Sequence, residues 1–341
     1  MSGFFKRLLF HLSGGITNTS KYERRRATLE KKYAKYLSLK QTPSLLRYRE
    51  LALQVATPRR QSGLSKKEWR ATKQEFAQLQ KSAEVSNFFS LQKSSDNFHE
   101  ITRWELAFED SFDGKALDKG RWVTHPAIID NAVELLYSSS DENHVYTDGG
   151  NVVVEDHALK IMVKREHADG VGFHEQVGFV PIAREYTAGI VNTAHSHTQL
   201  YGKVEAKIRF NKRKRGIYYA MWLGTGKALP HVNVLRAGSE IEFSAFAGQK
   251  AGKELRYVET WKRSLLRKNA AYIVALEWDR EVMTWKINGT VLFSAPNAID
   301  EPVYIAFSAG VTGAPRISTP AVLEVCWVKA YKYKEAEKRG K

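Results

Sequence analysis

Over residues 239 to 246 the chain reads Ser239-Glu240-Ile241-Glu242-Phe243-Ser244-Ala245-Phe246, with polar and apolar positions alternating at a period of two. That period marks a β-strand, whose successive side chains point to opposite faces. Glu240, Glu242 and Ser244 then share one side, and Ile241, Phe243 and Ala245 the other. Similar short runs recur at Val152-Val153-Val154, at Leu159-Lys160-Ile161-Met162-Val163, and at Thr284-Trp285-Lys286-Ile287 and Val291-Leu292-Phe293 on either side of Asn288-Gly289. Asn-Gly favours a tight hairpin turn because both residues accept positive φ. Short strands with frequent turns predict a mainly β protein, two antiparallel sheets folded as a jelly roll.

The first hundred residues follow another period. Ser20 with Glu23, Thr42-Pro43, and Ser65 with Glu68 read as three helix starts, the two Ser/Glu pairs having capping-box spacing. Tyr22, Leu29, Tyr33, Tyr36 and Leu37, then Leu45, Leu46, Leu51 and Leu53, then Trp69, Phe76 and Leu79 give each helix an apolar side. Such stripes need a cover: one another, the outside of the sandwich, or a partner in a larger assembly. Charge separates the two regions as well. Residues 1 to 100 hold 20 Lys and Arg against 8 Asp and Glu, so they carry +12 of the formal +16. The expected organisation is a basic α-helical extension over 1–100 and a β-jelly-roll domain over 101–341. Arg24-Arg25-Arg26 and Lys31-Lys32 give the extension a face for nucleic acid, an acidic protein or anionic lipid. No recognisable nucleic-acid module accompanies them, and basic runs are commonly just solvated.

Two carboxylates on one strand face raise a question of chemistry. Like charges a few ångströms apart oppose each other's ionisation, so such pairs tend to be paired or used. An edge strand with a solvated face explains Glu240 and Glu242 equally well when the octapeptide is taken alone.

Other blocks, in order, change that balance. Phe108-Glu109-Asp110-Ser111-Phe112-Asp113-Gly114 is followed by Leu117-Asp118 and Trp122. Then come Tyr186-Thr187-Ala188-Gly189-Ile190-Val191-Asn192-Thr193, Tyr201-Gly202-Lys203-Val204-Glu205-Ala206-Lys207-Ile208 and Tyr218-Tyr219-Ala220-Met221-Trp222-Leu223-Gly224. Tyr272-Ile273-Val274-Ala275-Leu276-Glu277-Trp278, Trp285-Lys286-Ile287-Asn288-Gly289 and Pro302-Val303-Tyr304-Ile305-Ala306-Phe307-Ser308-Ala309-Gly310 complete the series. Over residues 107 to 333 the sequence resembles glycoside hydrolase family 16, the laminarinase, lichenase and agarase group.

In that family an E-x-D-x-E or E-x-D-x-x-E strand carries a nucleophile, a tuning Asp and an acid/base Glu. The resemblance puts Glu240 at the nucleophile and Glu242 in place of the Asp. The acid/base position falls on Ser244 or on Ala245, depending on whether the strand bulges. Retaining hydrolysis needs two carboxyl groups about 5–5.5 Å apart, one of them a proton donor. Neither alanine nor a serine hydroxyl supplies that proton, and the loss of a positioned general acid costs on the order of 10²–10⁴ in rate. His231, Glu259 and His195 are further candidates on loops or strand ends, each more often an ordinary hydrogen-bonding residue. The resemblance also implies a structural calcium held by an Asp in the last strand, but Cys326 stands there, and calcium wants several oxygen ligands. No metal and no cofactor are expected.

Three function classes follow. As a binding module, the domain would hold a polysaccharide or oligosaccharide in a concave cleft, with Trp222, Tyr218, Tyr219 and Trp261 as stacking platforms and Glu240, Glu242 and Glu259 as polar contacts. Core packing is the competing role for these aromatics, and it is the expected one for Trp278 and Trp285. As an enzyme, it would be a weak retaining β-glycosidase with Glu240 as nucleophile. As an assembly component, it would work through the basic helices. The first reading is favoured.

Location is read from the terminus. Phe4-Phe5-Lys6-Arg7-Leu8-Leu9-Phe10 is too short in apolar length for a signal peptide. A cytoplasmic or assembly-bound protein is therefore expected over a secreted one. Phe4, Phe5, Leu8, Leu9 and Leu12 share a helical side suited to a short interfacial anchor. No stretch approaches the ~20 apolar residues of a membrane-spanning helix, and the one cysteine allows no internal disulfide.

Overall fold

The computed structural model describes residues 15–127, 136–139, 142–174, 176–211, 215–250, 253–317 and 320–334. The apolar side expected at Phe4 to Leu12 lies outside them. The chain divides into two compact units, Ser20–Trp104 and a larger one that joins the chain up to Thr19 with Glu105–Lys341.

Helices Thr19–Lys40, Pro43–Ala56, Lys66–Gln80 and Ala83–Gln92 make up most of the small unit. The first begins one residue before the Ser20 expected as its cap. At the second, Thr42 accepts from the Leu45 N–H at 3.4 Å, with proline in the first turn. The third carries a complete capping box: Ser65 Oγ accepts from Glu68 N at 3.3 Å, and Glu68 Oε2 accepts from Ser65 N at 2.9 Å. The fourth, which the sequence reading missed, is capped by Ser82. The apolar stripes cover one another in part, leaving Leu37, Leu46 and Leu53 exposed. Leu39, Leu45, Val85 and Phe88 form the core, Tyr36 stacks on Phe88 at 5.2 Å, and Tyr48 stacks on Phe76 at 4.9 Å. None of the helices is long and apolar enough to cross a membrane among the described residues.

Among the described residues the large unit is a sandwich of a thirteen-stranded and a seven-stranded sheet, antiparallel apart from two short parallel pairings. In the larger sheet, strand Ala321–Tyr333 runs between Gly202–Phe210 and Ala158–Lys164. The smaller sheet is ordered Thr198–Gln199, Val303–Val311, Ile217–Gly224, His231–Ala237, Glu240–Lys250 and Lys253–Lys262, and its seventh strand, Ile190–Asn192, also pairs with Val303–Val311. Every second residue of these strands enters the space between the sheets, where Trp278, Trp285, Phe210, Tyr219, Phe243 and Phe307 are almost wholly buried. Trp278 and Trp285 are core residues, as their place in regular strands implied. Trp285 Nε1 also donates to the Asn233 carbonyl at 2.9 Å, which ties the core to the sheet described below.

The Asn288-Gly289 turn has φ of 48° and 75°, both positive as its sequence requires. Asn288 is buried: its Oδ1 accepts from Ile273 N at 2.8 Å and its Nδ2 donates to the Thr17 carbonyl at 2.8 Å. On the far side of the larger sheet, Lys203 and Glu205 are buried together, with Nζ 3.3 Å from Oε2. Tyr331 donates to Glu205 Oε1 at 3.0 Å, and its ring lies 4.2 Å from Lys203 Nζ. Cys326 falls at a bulge, where the pairing of Ala321–Tyr333 with Gly202–Phe210 skips between Lys207 and Ile208. Among the described residues no group of three or more His, Cys, Asp or Glu could hold a metal ion.

Candidate functional site

Pairing register fixes which way the Glu240–Lys250 strand faces. Its bonds to Lys253–Lys262 run without a break from Glu240↔Lys262 to Ala247↔Leu255. Ile241, Phe243 and Ala245 enter the core, while Glu240, Glu242 and Ser244 lie together on the outer face. The irregularity is in the neighbouring strand, between Asn233 and Arg236. There Val234 and Leu235 both enter the core, which keeps Asn233 and Arg236 on the outer face although they are three residues apart.

Asn233 is the hub of this face. Its Nδ2 donates to Ser244 Oγ at 2.9 Å and to Glu242 Oε1 at 3.3 Å, and Ser244 Oγ donates to the same Glu242 oxygen at 2.7 Å. With the amide nitrogen turned that way, Asn233 Oδ1 receives His231 Nε2 at 3.3 Å. Ser244 is fully buried within this network, and Glu242 accepts from two neighbours. Glu240, by contrast, is exposed, with no side-chain hydrogen bond or ion pair among the described residues.

Aromatic groups flank the carboxylates. The half-buried Trp222 ring lies 4.9 Å from His231 and meets Tyr304 edge-on at 5.7 Å, while its Nε1 donates to Ser308 at 3.2 Å. Tyr218 is on the same face, but Arg236 covers its ring at 4.3 Å. Its hydroxyl donates to Glu142 and lies 3.2 Å from that of Tyr146. Burial raises the pKa of both tyrosines well above the ordinary phenol value, and the Glu142 carboxylate adds to the rise. His144 Nδ1 accepts from Val311 N at 3.1 Å, which leaves the proton on Nε2, 3.5 Å from Glu142.

Three expected contacts are corrected. Tyr219 and Trp261 point into the core rather than toward a ligand, Tyr219 stacking on Phe210 at 5.2 Å. Residues that alternate on a strand cannot both reach one face, so Tyr218 and Tyr219 were never equivalent. Glu259 pairs with Phe243 and shares the core-directed side of its strand with Trp261, away from Glu240 and Glu242. Of the two candidate histidines, His195 lies exposed in a turn, whereas His231 bonds to Asn233 beside Glu242. Asn233, Arg236, Glu142 and His144 were missed. Only the polar spacing of His231, Asn233 and Arg236 offered a local signal.

Burial holds the His231 imidazole below its ordinary pKa, more strongly than the Asn233 bond and Glu242 raise it, and burial does the same to His197. The unfolded chain takes up these protons near pH 6.5 while the folded chain resists. This stabilising contribution is complete above about pH 6.5 and is lost as pH falls toward the folded-state values. Each histidine then adds a slope of at most about 1.4 kcal/mol per pH unit. Urea unfolding at pH 7.5 and 5.5 is expected to show the loss, and His231→Asn to reduce it. An unchanged pH dependence in the variant would rule out His231 as a source.

No family model matches the sequence, and no curated protein does. Solved structures do match. The laminarinase catalytic domain of Thermotoga petrophila, an endo-1,3-β-glucanase, is 19% identical with a TM-score of 0.53, over 68% of this chain and 99% of that one. An endo-acting O-glycanase of the human gut microbiota that initiates mucin breakdown is 19% identical with a TM-score of 0.56, over 69% and 93%. SCLam, a non-specific endo-β-1,3(4)-glucanase from family GH16, is 17% identical with a TM-score of 0.53, over 68% and 92%. The larger unit thus has the fold of the family 16 glucanases, as the sequence blocks implied.

Proposed function

We propose that the outer face of the seven-stranded sheet binds a β-linked glycan and hydrolyses it poorly or not at all. Ser244 carries this reading. On the face that holds Glu240 and Glu242 it occupies the next outward position, is fully buried, and donates its hydroxyl to Glu242. A leaving oxygen finds no acid there. Trp222 supplies an aromatic face for a pyranose, with Glu240 accepting from sugar hydroxyls. The fold shared with endo-β-glucanases supports the ligand class.

The exposed Glu240 favours a second reading as a weak retaining glycosidase, because a substrate with a good leaving group needs a nucleophile but no general acid. Laminarin is expected to bind and stay intact, and any turnover of an aryl β-glycoside is expected to fall at least about 10²-fold in Glu240→Gln. Glu240-dependent cleavage of laminarin would overturn the binding reading. For the helical unit, net charge and the exposed Leu46 and Leu53 support docking to an acidic or protein partner. That role would give a stable complex without glycan affinity.

A further inference from the structure

Helix Thr19–Lys40 sorts its side chains by charge as well as by polarity. Lys21, Arg24, Arg25, Lys31, Lys32 and Lys35 recur at steps of three, four and seven residues, so they share one face, and all six are exposed. At 1.5 Å of rise per residue this stripe is about 21 Å long. The two acids of the helix, Glu23 and Glu30, stand on another side with Arg26, whose Nε lies 3.3 Å from Glu30 Oε1. Tyr33 and Tyr36 are turned inward, Tyr33 to Phe98 at 5.3 Å and Tyr36 to Phe88.

Arg24, Arg25, Lys31, Lys32 and Lys35 form no ion pair among the described residues. Arg24 Nε donates to the Ser20 carbonyl at 3.2 Å, and no carboxylate meets it. Like charges three and four residues apart on a helix repel, and a negatively charged partner relieves that repulsion. The other helices do not supply one. Glu50 and Glu75 are held by Arg47, and Glu68 closes the Ser65 capping box.

A flat stripe of cations suits any polyanion, and the sequence before the helix selects among them. Phe4, Phe5, Leu8, Leu9 and Leu12 recur at helical spacing, with Lys6 and Arg7 between them, and end six residues short of Thr19. A nucleic acid or an acidic protein would use the cations and leave those five apolar residues idle. A bilayer uses both. The inward rings of Tyr33 and Tyr36 also offer a base nothing to stack on. A short apolar segment alone binds a membrane weakly, and a polybasic patch beside it supplies the second signal.

We propose that the helical unit docks on an anionic lipid surface, the outward cations of Thr19–Lys40 lying over the headgroups while Phe4, Phe5, Leu8, Leu9 and Leu12 enter the acyl boundary. The inference rests on the docking reading of this unit given above and is independent of the glycan reading.

Co-sedimentation of the full chain with vesicles tests it, phosphatidylcholine alone against phosphatidylcholine mixed with phosphatidylserine, at about 0.15 M salt. Two quadruple variants remove equal charge. Arg24→Gln/Arg25→Gln/Lys31→Gln/Lys32→Gln empties the stripe, and Arg59→Gln/Arg60→Gln/Lys66→Gln/Lys67→Gln changes exposed positions elsewhere in the unit. Glutamine is a good helix former, and far-UV circular dichroism checks that each variant folds. Binding is expected on the mixed vesicles and not on phosphatidylcholine alone. At roughly a factor of five per cation, the stripe variant is expected to lose about 50-fold or more, and the other quadruple variant less than about five-fold. Phe5→Ser/Leu8→Ser is expected to lose at least about ten-fold. Equal losses in the two quadruple variants, equal binding to both vesicles, or no loss in Phe5→Ser/Leu8→Ser would overturn the lipid contact. Poly-glutamate and a DNA duplex, run in parallel, separate that failure from a wider one. Stripe-dependent binding of either without vesicle binding would overturn the lipid inference and leave docking to an acidic partner standing. Failure of vesicles, poly-glutamate and duplex alike would overturn docking through charge as well.

Discussion

Replacing Trp285 with alanine is expected to cost about 3–5 kcal/mol of stability, the range for truncating a large buried aromatic. The ring is fully buried between the sheets, 4.8 Å from Phe293, so the cavity left behind cannot fill with solvent-exposed groups. At about 2–4 °C per kcal/mol for a unit of this size, Tm should fall by roughly 6–20 °C. Trp285→Phe separates packing from polarity. It keeps a ring but removes the Nε1 donor to the Asn233 carbonyl, and Asn233 is the residue that joins His231, Ser244 and Glu242. Thermal unfolding of both variants with glycan affinity measured alongside checks this. A Trp285→Phe variant that is less stable and binds normally would show that the indole anchors the core only.

Glu205→Ala should match that loss by a different cause. It removes the carboxylate facing a buried ammonium, and breaking a buried ion pair from one side costs about 3–5 kcal/mol. Removing both charges is a different experiment. Lys203→Met/Glu205→Leu is expected to regain most of the stability, because the desolvation cost of the pair disappears with it. Tyr331 loses a hydrogen-bond acceptor in either case, so recovery should be incomplete. Chemical denaturation of the single and double variants gives the comparison. A single variant within about 1 kcal/mol of the parent would mean that the pair is solvated in solution.

Much of this was legible in the sequence, and the gaps share one physical cause. Alternation over residues 239 to 246 set the outward face of the strand, and the Asn-Gly turn and two helix caps formed where their residues required. The choice between Ser244 and Ala245 was not readable locally, because a bulge is a property of two paired strands. It turned out to sit in the partner strand, between Asn233 and Arg236. Tyr219 and Trp261 were misread because aromatic type was weighed without strand parity. Glu142 and His144 had no periodic context of their own and acquire one only through Tyr218, Tyr146 and Val311.

The place of Ala321–Tyr333 within the larger sheet has a consequence during synthesis. This strand is translated after every other described strand, yet it lies between Gly202–Phe210 and Ala158–Lys164, two strands made long before it. Until it emerges, both keep unpaired edges, the kind of surface that recruits other chains. The helices need wait for nothing beyond Trp104. Folding of the nascent chain is thus set to occur in two stages, with the β-unit closing only once Ala321–Tyr333 has been translated.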